Sequence, residues 1–325
     1  MKVPFLVFAV LLAARLPGAT AGEAKSPPPF QSAAVEWCPA NALALAEAAG
    51  FAYDKNAGAE VLGRLECERY ESLTFTVPLP PKFKFEEGEP GPQGFITGGP
   101  RHIVIAFRGT ELNVVDLLTD AWAQPVPLSS KVAGKAHGGF VRTFHGLWPD
   151  LKIKLESMRT AWPDAKIWIT GHSLGGGLAV MAAATLTLEE NIPVQGLITF
   201  GAPVTGDVDF QGALTTVLGG RYWRCIHELD MVTLDVNALH IPSRMPSFVT
   251  AFQHGGKSIY LAKDGTVSTS GRSAVAGELL RTGLNWASRR RFTPPADPLS
   301  RHSIGGGYIP ALRKLAVSSG KTETK

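Results

Sequence analysis

The sequence predicts an α/β fold with a central, mostly parallel (mixed) sheet flanked by helices. Three observations support this. Short apolar runs typical of buried strands alternate with helical patterns through the middle of the chain. One run, residues 167–169, leads through glycine-rich sequence into the small and aliphatic residues 176–182, which is typical of a strand, a sharp turn and a helix. With 325 residues and 45% hydrophobic composition, the chain can bury one large core.

We expect the chain to divide into four parts. The first 21 residues have the pattern of a secretory signal peptide, with Lys2 as its basic start, an apolar run over residues 4–14 and the small-residue ending ATA at 19–21. Arg15 interrupts this run, which is also short for a membrane span. We therefore expect a secreted or periplasmic protein with no transmembrane segment after cleavage. The expected parts are a signal peptide (1–21), an N-terminal linker (22–40), one domain (41–315) and a disordered tail (316–325).

Apolar spacing and turn residues predict the elements of the domain in order. The run HIVIAF at 102–107 is typical of a buried strand, and the stretch 78–92, rich in proline, glycine and charge, indicates an exposed hairpin or insertion. The predicted helices are 41–52, 151–160, the helix after Ser173 and 274–288. The predicted strands are 73–77, 94–97, 102–107, the strand that leads to Ser173, 194–200 and 222–227.

Composition and charge exclude several classes of partner. The formal net charge is +4 and falls to +2 when Lys2 and Arg15 leave with the signal, so we expect no nucleic acid partner. The triplet RRR at 289–291 is typical of a solvated helix end. No cluster of cysteine and histidine has metal-ligand spacing, and we expect neither a metal nor another cofactor.

Three cysteines are too few for a disulfide framework. In an oxidising compartment one pair can form, and Cys38 with Cys67 is the favoured pair because Cys225 lies in an apolar, strand-like run. The sequence leaves two possibilities open, namely one disulfide or no disulfide.

Ser173 is the candidate nucleophile. It is the centre of GHSLG (171–175), at the apex of the predicted turn between a strand and a helix. There its hydroxyl lies beside a helix N-terminus, whose unpaired N–H groups and dipole stabilise a nearby oxyanion. An ordinary glycine-rich turn also produces this pentapeptide, so the rest of the catalytic set decides.

Asp230 is the candidate acid. A serine hydroxyl needs a base to take its proton, and the base needs a carboxylate to orient it. In α/β-hydrolases these follow the serine in the order acid, then histidine. Asp230 comes directly after the strand-like run 222–229, at the end of a strand where α/β sites assemble. The alternatives are Glu228, Asp207, Asp209 and Asp235.

His302 is the candidate general base. It lies in the loop DPLSRHSIGGGYI (297–309), which is rich in turn formers and precedes a C-terminal helix. His227 precedes Asp230 and breaks the expected order. His240 stays possible, and His254 lies at the start of a strand-like segment.

Two backbone N–H groups are candidates for an oxyanion hole. One is that of Leu174, directly after the nucleophile. The other is that of Thr110, in the turn Arg108-Gly109-Thr110 that follows the strand 102–107. Loss of one such donor typically lowers turnover by about 10²–10³-fold.

These motifs together resemble the class-3, fungal-type triacylglycerol lipases of the α/β-hydrolase superfamily. The resemblance covers about residues 41–312 and implies that Ser173 is the nucleophile, Asp230 the acid, His302 the base, and Thr110 and Leu174 the oxyanion hole. The motifs are AFRGT (106–110), AHGGF (136–140), ITGHSLGG (169–176), TFGAPVTGD (199–207), HELDMVTL (227–234) and RHSIGGGYI (301–309).

The resemblance also implies a lid helix over residues 111–120. Leu112, Val115 and Leu118 recur there on one helical face, which suits contact with an acyl chain or an oil surface. A short amphipathic helix packed permanently on the core gives the same pattern. The segment lacks the tryptophan of the fungal lid, and Thr233 stands where the family often has proline.

The resulting expectation is a secreted serine carboxylester hydrolase, a lipase that cleaves acylglycerol esters through an acyl-enzyme. Its partner would be a lipid or ester substrate, in particular at a lipid–water interface. A phospholipase A1 or a feruloyl-type esterase is the alternative on the same fold. A non-catalytic binding protein that has kept the fold is the alternative from another class.

Overall fold

An eight-stranded sheet forms the centre of the computed structural model, which describes residues 27–75, 93–109, 124–228, 230–233, 252–269 and 301–319. The strands are β1 (Arg69–Leu73), β2 (Gly94–Gly98), β3 (His102–Phe107), β4 (Pro125–Val126), β5 (Ala136–His137), β6 (Lys166–His172), β7 (Gly196–Phe200), β8 (Tyr222–His227), β9 (Lys257–Leu261) and β10 (Val267–Ser268). The α-helices are α1 (Pro39–Phe51), α2 (Gly58–Leu65), α3 (Gly138–Ala161), α4 (Leu174–Ala184), α5 (Val208–Leu218) and α6 (Ile309–Ser319).

The sheet is mixed and mostly parallel, which confirms the predicted fold class. Its order is β1-β2-β3-β6-β7-β8-β9-β10. The five strands from β3 to β9 run parallel, while β1, β2 and β10 pair antiparallel at the two edges. Strands β4 and β5 form a separate two-stranded sheet. The carboxyl ends of the parallel strands therefore meet along one edge, where the site lies.

Helices cover both faces of the sheet. Along β3, Ile103 and Ile105 face a core shared with α3 and α4, whereas Val104 and Ala106 face a core shared with α1 and α6. All four side chains are fully buried. Burial on both faces explains why the run at 102–107 is continuously apolar rather than alternating.

Residues 27–38, the described part of the expected linker, pack against the domain. Phe30 is 8% exposed and contacts Trp168 edge to face, and the indole N–H of Trp168 donates to the carbonyl of Ser32 at 2.9 Å. Helix α1 begins at Pro39, two residues before the predicted start, and α6 continues to Ser319, four residues into the expected tail. The packed unit is thus longer at both ends than the expected domain.

Two predicted elements differ from the structure. The strand predicted at 73–77 lies at Arg69–Leu73, where half-buried polar side chains conceal the pattern of an edge strand. The helix predicted at 151–160 is the last part of the 24-residue α3, which runs through Pro149. Tertiary packing of its apolar face on the sheet offsets the low helix propensity of its glycines and this proline.

The favoured disulfide is absent, because Cys38, Cys67 and Cys225 are all free thiols. The Cys67 thiol instead contacts the Leu65 carbonyl at 3.7 Å, and burial raises its pKa to about 11. Among the described helices none is long and apolar enough to cross a membrane. The predicted hairpin at 78–92, the lid segment at 111–120 and the helix at 274–288 lie outside the described residues.

Candidate active site

Ser173 lies at a sharp turn between β6 and α4. Its backbone has φ 57° and ψ −127°, a conformation that non-glycine residues rarely adopt and that the surrounding structure must hold in place. The Ser173 N–H donates to the carbonyl of Phe200 in β7 at 2.9 Å. This turn places the serine at the carboxyl edge of the sheet, at the start of a helix.

Glycines allow the backbone to pack closely around this turn. A Cβ on Gly171 would collide with the Gly175 carbonyl, and a Cβ on Gly175 would collide with the Phe107 carbonyl in β3. A Cβ on Gly109 would come within 3.2 Å of the Ser173 Cβ. The turn after β3 therefore lies directly against the serine.

The structure brings Ser173, His302 and Asp230 together. The Nε2 atom of His302 is 2.8 Å from the Ser173 Oγ, and its Nδ1 is 2.9 and 3.0 Å from the two oxygens of Asp230. Because the carboxylate accepts from Nδ1–H, the Nε2 atom is left to accept the serine proton. The Asp230 side chain is fully buried, and His302 is largely buried.

Several groups hold Asp230 in place. It follows β8 in the chain and accepts from the Val232 N–H at 3.0 Å and from the Tyr308 hydroxyl at 2.6 Å. Burial and the nearby Asp230 carboxylate hold the Tyr308 pKa well above its usual value, so the phenol stays a donor. Gly201, with φ 61°, leaves the space that Asp230 and His302 occupy, since a Cβ there would lie 2.8 Å from the carboxylate.

Among the residues that the structure describes, the contacts of the other acidic candidates involve neither Ser173 nor His302. Glu228 pairs with the Arg301 guanidinium at 3.3 Å. Asp207 caps α5 by accepting from the Phe210 N–H at 2.9 Å, and Asp209 lies in the first turn of the same helix. Asp235 is outside the described residues.

Two of the other histidine candidates, His227 and His254, form hydrogen bonds to backbone carbonyl oxygens. His227 contacts the Arg301 carbonyl through Nδ1 at 3.1 Å, and His254 contacts the Thr233 carbonyl through Nε2 at 2.9 Å. Burial lowers the pKa of both rings, so each is uncharged near neutral pH and donates. His240 is outside the described residues.

Sequence reasoning missed three residues that surround the site. His172 contacts the Tyr53 hydroxyl and the His302 backbone, and Tyr308 contacts Asp230. His172 and Tyr308 stood inside the quoted motifs, one beside the serine and one after GGG, but no pattern assigned them a role. Tyr53 carried no local signal, because 120 sequence positions separate it from Ser173.

Only part of the expected oxyanion hole and lid can be placed. Leu174 is the first residue of α4, where its N–H belongs to the unpaired end of the helix. Thr110 lies outside the described residues, directly after Gly109, and so do the lid positions Leu112, Val115 and Leu118. Within the described ranges no group of three or more His, Cys, Asp or Glu side chains could hold a metal ion.

A family model described as Lipase (class 3) matches residues 104–237, which include the turn at Ser173 and Asp230. Residues 104–237 thus resemble the class 3 lipases. A secreted mono- and diacylglycerol lipase 1 of Fusarium solani is 30% identical over 173 residues, 52% of this chain and 48% of the relative. The lipase of Rhizomucor miehei is 26% identical over 208 residues, 63% of this chain and 53% of the relative.

The chain is also similar to a plant phospholipase and to a solved lipase structure. Phospholipase A1-II 1 of Oryza sativa is 30% identical over 156 residues, 41% of this chain and 39% of the relative. The chain thus spans about half or less of the length of these curated relatives. The lipase structure from Rhizopus microsporus var. chinensis is 22% identical, with a TM-score of 0.51 over 73% of this chain and 80% of that one. This likeness agrees with the sheet topology, and the fold is that of the α/β-hydrolases.

Proposed function

We propose that the protein is a secreted serine carboxylester hydrolase that cleaves acylglycerol esters through an acyl-enzyme. The observation that carries the proposal is the continuous line of hydrogen bonds from the Ser173 hydroxyl through the His302 ring to the buried Asp230 carboxylate. A nucleophile, a base and an orienting carboxylate in this order form the constellation that activates a serine.

Acylation starts when the Ser173 Oγ attacks the ester carbonyl carbon. His302 takes the serine proton on Nε2, and Asp230 stabilises the resulting imidazolium through Nδ1–H. As the tetrahedral intermediate collapses, Nε2 returns this proton to the leaving alcohol oxygen, and the acyl group stays on Ser173. Water then attacks the acyl-enzyme with the same base, which releases the fatty acid and restores the serine hydroxyl.

The intermediate carries its negative charge on the former carbonyl oxygen. In the proposal, the Leu174 N–H at the start of α4 and the Thr110 N–H in the turn after β3 donate to this oxygen. The position of Gly109 against Ser173 supports this assignment, because it brings the chain immediately before Thr110 to the nucleophile. The helix dipole of α4 adds favourable positive potential at the same point.

The names of the relatives support acylglycerols as the substrate class. The Fusarium solani relative is named a secreted mono- and diacylglycerol lipase, and two Malassezia restricta relatives carry the same description. The signal-like pattern over residues 1–21 supports export of this chain. In the proposal, Leu112, Val115 and Leu118 form the apolar face of a lid that meets the acyl chain at a lipid–water interface.

A second candidate is phospholipase A1 activity on the same catalytic set. The specific observation in its favour is the rice phospholipase A1-II 1, whose identity of 30% equals that of the Fusarium solani lipase. Both reactions use the same serine chemistry, and they differ in the head group that the alcohol side of the ester carries.

A panel of esters tests the proposal. Initial rates of fatty acid release are measured on mono-, di- and trioleoylglycerol and on dioleoyl phosphatidylcholine, with Ser173→Ala as the control variant. We expect the acylglycerols to be cleaved fastest, with a rate jump above the solubility limit if the lid opens at an interface. Faster cleavage of phosphatidylcholine would select phospholipase A1. No hydrolysis of any ester, or equal rates with Ser173→Ala, would refute the proposal.

A further inference from the structure

His172, the residue before the nucleophile, contacts the base from behind. Its ring centre is 4.7 Å from that of His302, and its Nε2 lies 2.5 Å from the His302 carbonyl oxygen. On the other side its Nδ1 lies 2.8 Å from the Tyr53 hydroxyl. The His172 side chain thus joins Tyr53, in the turn after α1, to the backbone of the base.

The hydrogen-bond directions in this chain follow from the chemistry of its ends. A carbonyl only accepts, so Nε2 of His172 must carry a proton and donate to His302. Burial, and secondarily the neighbouring His302, lowers the His172 pKa to about 3, so the ring carries one proton at neutral pH. Its Nδ1 is therefore an acceptor, and the Tyr53 hydroxyl must donate to it. Tyr53 thereby selects the tautomer that can hold His302.

Tyr53 also lies against the turn that follows β3. A Cβ on Gly109 would collide with the Tyr53 hydroxyl, and the Arg108 guanidinium lies 5.7 Å from the centre of the Tyr53 ring. One phenol therefore touches the turn that leads to Thr110 and, through His172, the segment that carries the base.

We propose that His172 is a positioning residue that sets the place of the His302 ring through its backbone carbonyl, and that Tyr53 acts through His172. This inference rests on the proposed function. His227 gives a second tether one residue earlier, at the Arg301 carbonyl. With both carbonyls held, the His302 side chain keeps its Nε2 at 2.8 Å from the serine. Displacing a reacting group by ~1 Å can lower turnover by about 100-fold.

Four variants test the proposal by their kcat and KM on a soluble ester, p-nitrophenyl butyrate. His172→Phe keeps an aromatic ring but has no donor, and we expect kcat to fall about 10- to 100-fold with KM within about twofold of wild type. His172→Gln places an amide N–H near the former Nε2, and we expect it to restore kcat to within about threefold of wild type. Tyr53→Phe should lower kcat about 3- to 10-fold, since it removes one hydrogen bond.

The double variant Tyr53→Phe/His172→Phe distinguishes positioning from general packing. If Tyr53 acts through His172, the double variant has the same kcat as His172→Phe alone, because the second change removes nothing further. Three results would each overturn the inference. In the first, the kcat losses of Tyr53→Phe and His172→Phe multiply in the double variant. In the second, kcat falls equally in His172→Gln and His172→Phe, and in the third, His172→Phe keeps a kcat within about twofold of wild type. His145→Phe, at an exposed position of α3, is the matched control.

Failure of folding and failure of catalysis give different results in this experiment. If His172→Phe does not fold, as judged by thermal unfolding, Tyr53→Phe decides alone, and an unchanged kcat overturns the inference. If the wild-type protein hydrolyses neither p-nitrophenyl butyrate nor any ester of the panel, the proposed function fails before the positioning role is tested.

Discussion

The turn at the proposed nucleophile (the nucleophile turn, residues 171–175) and the segment with the proposed base (the base segment, residues 301–308) reach the same point by different physical means. The turn is held by its own backbone, through a left-handed Ser173 and through glycines that allow three elements to touch. The base segment is held by side chains from elsewhere, namely His172, His227 and Asp230. Local sterics therefore build one half of the site, and long-range hydrogen bonds build the other.

The largest expected effect distinguishes His302 from the other histidines. In His302→Ala no group accepts the serine proton, and we expect kcat on a soluble ester to fall about 10⁴-fold. His145→Ala, at an exposed position of α3, should keep the wild-type kcat. If His302→Ala retains more than a tenth of the activity, the base lies elsewhere, and the same assay on His240→Ala tests the remaining candidate.

The next effect tests the backbone half of the site. In Gly175→Ala the added Cβ collides with the Phe107 carbonyl, and neither backbone can yield easily, so we expect a loss of roughly 3 kcal/mol in the free energy of unfolding. Gly212→Ala in α5 is the matched control, because nothing lies within 4 Å of its Cβ. Alanine there should gain about 0.5–1 kcal/mol from helix propensity. Urea unfolding measures both changes, and equal stabilities of the two variants would contradict the steric account.

The side-chain half of the site is tested at Tyr308. Tyr308→Phe removes the 2.6 Å hydrogen bond to the buried Asp230 carboxylate, and a bond to a charged group contributes about 1.5–3 kcal/mol. We expect a kcat about 10-fold lower, because the carboxylate that orients His302 is less well held. Tyr260→Phe on β9 is the control. If Tyr308→Phe keeps the wild-type kcat and stability, the other contacts of Asp230 are enough to hold its carboxylate in place, and the expected role of Tyr308 is wrong.

The last effect is a pH dependence of stability. His172 has a folded pKa of about 3 against an ordinary 6.5, so below pH 6.5 the unfolded chain binds a proton that the folded chain does not. Stability from this residue is complete above pH 6.5 and is lost as the pH falls towards 3, at about 1.4 kcal/mol per pH unit for one proton. In urea unfolding between pH 4 and pH 7, His172→Phe should show a shallower slope than wild type. An identical slope would contradict the buried, uncharged state.

The contrast between local sterics and long-range hydrogen bonds also explains which parts of the site the sequence could predict. Ser173 was found because its turn requires glycines at fixed spacing, which is a local signal. Asp230 and His302 followed from chain order and strand ends, and the structure brings them to the serine. Tyr53 and His172 meet in a contact between the turn after α1 and β6, and no local pattern encodes that contact. For the same reason the edge strand β1 and the full length of α3 were missed, since packing rather than propensity determines them.

The most direct test of the central claim is the site of covalent modification by diethyl p-nitrophenyl phosphate, located by peptide mass spectrometry. The account predicts one diethylphosphoryl group per chain, on Ser173, with one equivalent of p-nitrophenol released. It also predicts that labelling slows sharply in His302→Ala and disappears in Ser173→Ala. A label on another residue, equal labelling of Ser173→Ala, or no labelling of the wild-type protein would contradict it.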